Sequence, residues 1–94
     1  MKTWKTPQLR ALAKAFSHMH DTKEVLNFLR DLCTVDELEE LSERFEIAKR
    51  LSNGESYRSI AEHVGKSTTT VSRVAHWLKH GEGGYLAALK KSEK

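Results

Sequence analysis

Cysteine is almost missing from this sequence, with one residue in 94, and a lone thiol at Cys33 makes no internal disulfide. That excludes a disulfide-stapled secreted domain, and stability has to come from packing, shared between subunits if the core is thin. No apolar run approaches the roughly 20 residues a membrane-spanning helix needs. The first residues, Met1 to Pro7, lack the apolar stretch of a secretory signal, so the expectation is a cytoplasmic protein without a membrane partner. Catalytic signatures are missing too. Gly81-Glu82-Gly83-Gly84 lacks the spacing and the Lys-Ser/Thr ending of a phosphate loop and reads as a hinge, and no paired-carboxylate arrangement appears. The expectation is therefore no enzyme.

What is present is a charged, helical chain of one-domain length, 38% hydrophobic and 31% charged, with a net charge of +3. The charge is unevenly spread. Residues 1–33 carry six basic and three acidic side chains, residues 34–55 three and seven, and residues 56–80 four and one. Two basic segments thus flank an acidic one, a weak nucleic-acid signal in itself that gains meaning from where the second basic block falls.

Punctuation marks six helices and no strand. Pro7 after Thr6 suits the first position of a helix behind a hydroxyl cap, with Leu9, Leu12, Phe16 and Met19 following at helical spacing. After the connection His18 to Thr22, Asp21 or Thr22 caps a second helix. Its Val25, Leu26, Phe28, Leu29 and Leu32 cover roughly 160° of the wheel, more than one neighbour requires. Thr34-Val35-Asp36-Glu37 is a capping box for a long helix ending at Asn53-Gly54. In that helix Leu38, Leu41, Phe45 and Ala48 form one stripe, while Ile47 lies roughly 200° from Phe45. A helix apolar on two faces packs on its own subunit and on something else, which we take to be a partner subunit.

Residues 57–79 carry the strongest signal. A short helix from Tyr57 to Val64 ends at Gly65, and another opens behind Ser67. A helix-turn-helix needs a small residue where the second helix crosses the first, and Ala61 fills it. It needs positive φ at the tight turn, which Gly65 supplies, and a branched apolar lock, which Val71 provides. With Ile60, Val64 and Val74 also inside, Ser67, Thr68, Thr69, Ser72, Arg73 and His76 face outward, flanked by Arg58 and Lys66. Short hydroxyls and arginine are groups that approach phosphates and base edges. The competing structural reading is a helical hairpin that merely packs. His76 and His80, at i and i+4, have no third ligand nearby except Glu82 and read as solvated or phosphate-facing rather than as a metal site. His18 and His20 read as loop polarity, and Cys33 as a small buried thiol.

The stretch from Leu32 to Lys79 resembles the tryptophan-repressor superfamily, and the whole chain is similar to its YerC/YecD branch. The residues that carry the likeness are Leu32-Cys33-Thr34-Val35-Asp36-Glu37, Arg44, Asn53-Gly54-Glu55 and Thr70-Val71-Ser72-Arg73. The resemblance implies an all-α, six-helix fold, a single domain over 1–94, and an intertwined homodimer. It further implies a dimeric regulator, acting as a repressor, whose recognition helix (67–79) reads the major groove of double-stranded DNA. The alternative is a helical protein-interaction module that kept the fold.

In the tryptophan repressor the effector lies between the long helix and the recognition helix, held by one arginine from each. Arg44 and Arg73 match those positions, and Thr34 matches a threonine at the start of the long helix. Val74 stands where the repressor has glycine, and Trp77 where it has serine. The expectation is that Val74 narrows the slot and the Trp77 indole fills it from within. No cofactor and no tryptophan effector follow, although a different small effector stays open.

Overall fold

The computed structural model describes residues 3–92, which form two compact units divided between Leu38 and Glu39. Every regular element among the described residues is helical: α1 (Pro7–Ser17), α2 (Thr22–Leu32), α3 (Val35–Ser52), α4 (Tyr57–Val64), α5 (Thr68–His80) and α6 (Gly84–Ser92). The last helix runs through Ser92; Glu93 and Lys94, like Met1 and Lys2 at the other end, lie outside the described residues.

The first unit is built from caps and one aromatic contact. Thr6 accepts a hydrogen bond from the Leu9 amide at 3.1 Å, and Pro7 follows as the first helical residue. Asp21 accepts from Lys23 at 3.0 Å to open α2. Phe16 on α1 meets Phe28 on α2 edge to face, ring centres 5.1 Å apart. The capping box closes as expected: the Thr34 amide donates to the Glu37 carboxylate at 2.8 Å, and the Glu37 amide donates to the Thr34 hydroxyl at 3.1 Å. The Thr34 amide first, and the Thr34 hydroxyl with it, hold the Glu37 carboxyl below the ordinary carboxylate range. Cys33 is half-buried at the end of α2, where its carbonyl accepts from Arg30. The expected buried thiol is thus half open, because its own helix has just ended there.

The second unit holds the core. Ile47 and Ala48 of α3, Ile60 and Ala61 of α4, Val71 and Val74 of α5 and Leu89 of α6 form one buried cluster, with Leu51, Val64, Leu78 and Tyr85 packed against it. Ile47, Ile60 and Val71 are wholly enclosed, each contributing roughly 1.5–3 kcal/mol by burial. Ala48 therefore sides with Ile47 rather than with Leu41 and Phe45. Its methyl suits the close side of α3, whereas Leu41 and Phe45 stay exposed on the other.

Candidate nucleic-acid interface

The helix-turn-helix is the α4–α5 pair. Ser56 caps α4 by accepting from Ser59, and the helix ends on Gly65 at φ 69°, the left-handed conformation its missing Cβ permits. Ala61 is buried where α5 crosses. Its carbonyl accepts from the amides of both Gly65 and Lys66, which pins the turn. Ser67 then caps α5 through the Thr70 amide, with its hydroxyl also 3.3 Å from that of Thr70.

This pinning sorts the residues of α5. Val71, Val74 and Ala75 are buried, while Thr68, Thr69, Ser72, Arg73 and His76 are exposed. Ser67, Arg58 and Lys66 are exposed as well, so the structure brings all eight sequence-selected residues to the surface of one helix pair. Arg58 has only a 4.0 Å approach to Glu62 one turn on, and Arg73 has no ion pair among the described residues. The His76 ring lies 5.2 Å from Trp77 and 5.0 Å from His80. No group of three or more His, Cys, Asp or Glu among the described residues is placed to hold a metal ion.

Between α3 and α5 opens a cavity of about 210 Å³. Glu40, Glu43, Arg44 and Ile47 line it from α3, Lys66 from the turn, and Thr70, Arg73 and Val74 from α5. Arg44, Arg73 and Val74 thus meet at one place, as the sequence suggested. Two other residues of that set do not line it. Thr34 spends its hydroxyl and amide on the α3 cap. Trp77 was expected to fill the slot but is 60% exposed and lines a separate hollow with Gly81, Glu82, Gly84, Tyr85 and Ala88. One turn beyond Val74, its indole stands toward the glycine-rich bend rather than toward α3.

Sequence reasoning missed the acidic wall. Glu40 approaches Arg44 at 4.0 Å, and Glu43 meets the Lys66 ammonium at 3.4 Å. The spacing of Glu40, Glu43, Arg44 and Ile47 (i, i+3, i+4, i+7) marks one helix face and is the signal that finds them.

A second polar cluster joins the end of α3 to α4. Arg50 donates to Glu46 at 2.8 Å and to Glu55 at 3.0 Å, Ser59 donates to Glu55 at 2.8 Å, and the His63 Nδ1 stands 3.2 Å from the same carboxylate. The Ser59 hydroxyl first, and Arg50 with it, hold the Glu55 carboxyl below its usual range, while Glu55 and Glu46 raise the Arg50 guanidinium.

The likeness to known proteins runs through both units. The sequence model of the family described as Trp repressor protein matches residues 7–93. The uncharacterized protein YerC of Bacillus subtilis (strain 168) is 36% identical over 84 residues, 89% of this chain and 81% of YerC. A solved TrpR-like protein from Eubacterium eligens superposes with a TM-score of 0.87 at 38% identity, covering 95% of this chain and 92% of its own. Another structure, from Staphylococcus aureus and described as a proposed Trp repressor, gives 0.86 at 34%, covering 95% and 89%. Six helices in this order, a helix-turn-helix built on Ala61, Gly65 and Val71, and a match over nearly the whole length have one meaning: the chain belongs to the Trp repressor protein family.

Proposed function

We propose that this protein is a sequence-specific DNA-binding transcriptional regulator, a repressor that acts as a homodimer. Its family is one of DNA-binding regulators rather than enzymes. The observation that carries the reading is the division of α5, buried through Val71, Val74 and Ala75 and open through Thr68, Thr69, Ser72, Arg73 and His76. In this reading α5 enters the major groove. Thr68 and Thr69 meet base edges, with Ser67, Ser72 and His76 alongside, and Arg58, Lys66 and Arg73 meet phosphates. A dimer sets two such helices about 34 Å apart on successive grooves. The exposed apolar side chains Leu26, Leu32 and Val35 of the first unit, and Leu41 and Phe45 of the second, supply apolar surface for the second copy. The whole chain acts as one Trp-repressor-like domain. No helix among the described residues is long and apolar enough to cross a membrane, and we place the protein in the cytoplasm with its DNA.

Free tryptophan is not its effector in this reading. The branched Val74 side chain lines the Arg44–Arg73 cavity, and the carboxylates of Glu40 and Glu43 stand at the same walls. A different, smaller effector on the same arginines is the remaining option.

Selection of bound duplexes from a random pool by the purified protein tests the DNA reading. A defined, two-fold-related sequence is expected, with affinity falling at a log–log salt slope of about −0.9 per neutralised phosphate. Thr69→Ala should shift base preference by about 1 kcal/mol, and Lys66→Ala should weaken all sequences alike. Recovery of no sequence, with binding flat against salt, leaves a protein-interaction module instead. Calorimetric titration with millimolar tryptophan tests the effector statement, and saturable binding coupled to tighter DNA affinity overturns it.

A further inference from the structure

Lys66 holds a particular place in the fold. Its backbone is fixed by the turn, since its amide donates to the Ala61 carbonyl at 3.1 Å, and it directly precedes the Ser67 cap of α5. A cationic residue directly before the positive end of the α5 dipole is poorly placed unless an anion joins it. The anion the fold supplies is Glu43, whose Oε1 lies 3.4 Å from Nζ, with the two side chains 33% and 42% exposed. The pair links α3 to the turn of the helix-turn-helix. It spans elements far apart in sequence, unlike the one-turn pairs Arg44–Glu40 and Arg58–Glu62, which lie along single helices.

We propose that Glu43 is a positioning residue for DNA binding that acts through Lys66: its carboxylate occupies the ammonium that a DNA phosphate would otherwise take, so that binding exchanges one anion for another. This rests on the DNA-binding reading above. Glu43 touches no DNA in this scheme. It sets how much Lys66 contributes, and so holds down the sequence-independent part of the affinity while Thr68 and Thr69 keep the sequence-dependent part. A half-exposed pair of this kind is weak, so the exchange moves affinity by a small factor rather than switching it.

The test is a double-variant cycle on duplex affinity at about 50 mM salt, read on a selected sequence and on an unrelated one, with thermal melting of each variant to establish folding. The near-isosteric Glu43→Gln should tighten both duplexes by about two- to fivefold, the factor that a surface ion pair commands. Glu43→Ala, compatible with a helix, should agree. Lys66→Ala should cost more in the Glu43→Gln background than in the parent, and the double variant should retain none of the gain. A gain that survives Lys66→Ala overturns the proposal, because the effect is then the loss of a negative charge in general. Unchanged or weakened binding by Glu43→Gln overturns it as well, the pair then serving only to hold the turn. If the parent binds no duplex at any salt, the DNA reading itself fails and takes this inference with it. Binding by the parent with an additive cycle fails this inference alone.

Discussion

Residues 39–92 enclose every buried hydrophobic side chain among the described residues, and residues 3–38 enclose none. Composition does not explain the contrast, since α2 alone carries Val25, Leu26, Phe28, Leu29 and Leu32. In the second unit the apolar stripes of α3, α4, α5 and α6 converge on Ile47, Ile60 and Val71. In the first, Leu26 is 59% exposed and Val35 52%, with Leu32 nearly half open. Apolar faces of that extent on a small chain mark a surface made to be covered. A helix-turn-helix unit with its own core, in a chain whose first unit has none, is what the proposed homodimer held together through its first helices needs. The proposed DNA contact and the proposed association would then fall to different stretches of one short chain.

The strongest way to break that comparison is through the core. Ile47 is wholly enclosed within the single chain, so Ile47→Asp should cost roughly 3–5 kcal/mol, much of the stability of a small domain. Denaturant unfolding at two protein concentrations checks it. A small loss would mean that the second unit does not carry the fold. Ile47 thus probes the chain's own core, while the exposed Leu41 and Phe45 of the same helix would report on the proposed partner.

Association is tested next, at Leu26. Leu26→Lys should raise the dimer dissociation constant at least about tenfold, or about 1.4 kcal/mol, while leaving the α4–α5 packing intact. Sedimentation of parent and variant at micromolar concentration reads this directly, and a well-folded monomeric parent would end the dimer proposal.

Gly65→Ala is expected to cost about 1–2 kcal/mol, because the turn holds φ at 69°. No neighbour lies within 4 Å of the added Cβ, so the loss would be backbone strain alone. A melting curve matching the parent would show that the turn relaxes to another conformation.

The smallest effect concerns acid. The Glu55 and Glu37 carboxyls are lowered in the folded chain, so they contribute stability above the ordinary carboxylate range, which is lost as pH falls through their lowered values. Glu55→Gln should therefore lower stability near neutrality and leave it unchanged in strong acid, which flattens the acid side of the stability–pH curve. An unchanged acid side would remove Glu55 from the hub joining Arg50, Ser59 and His63.

Much of the fold was legible before any coordinates. The caps at Thr6, Asp21, Thr34, Ser56 and Ser67 are local contracts between residues two or three apart, and the stops at Gly54 and Gly65 need only the conformational freedom of glycine. Of these, Ser56 escaped the sequence reading, hidden among the hydroxyls that follow Gly54. The outward set on α5 was legible for the same reason, since helical period alone separates Thr68, Thr69, Ser72 and Arg73 from Val71 and Val74. Ala75 and Leu89, both buried, were not marked in advance. Ala75 is too small to reveal its side, and Leu89 sits in a helix whose apolar residues point several ways.

The amino-acid sequence by itself determined which segments become helices, where each begins and ends, and which α5 residues share the open face. Each of those outcomes depends on neighbours within about one or two turns of chain. Only the tertiary structure decided which apolar side of α3 is enclosed, that Trp77 stands away from the Arg44–Arg73 cavity, and that Glu43 meets Lys66. These depend on how α3 lies against the α4–α5 pair. That placement is set by the summed packing of Ile47, Ile60, Val71 and Leu89, and no periodicity within one helix encodes it.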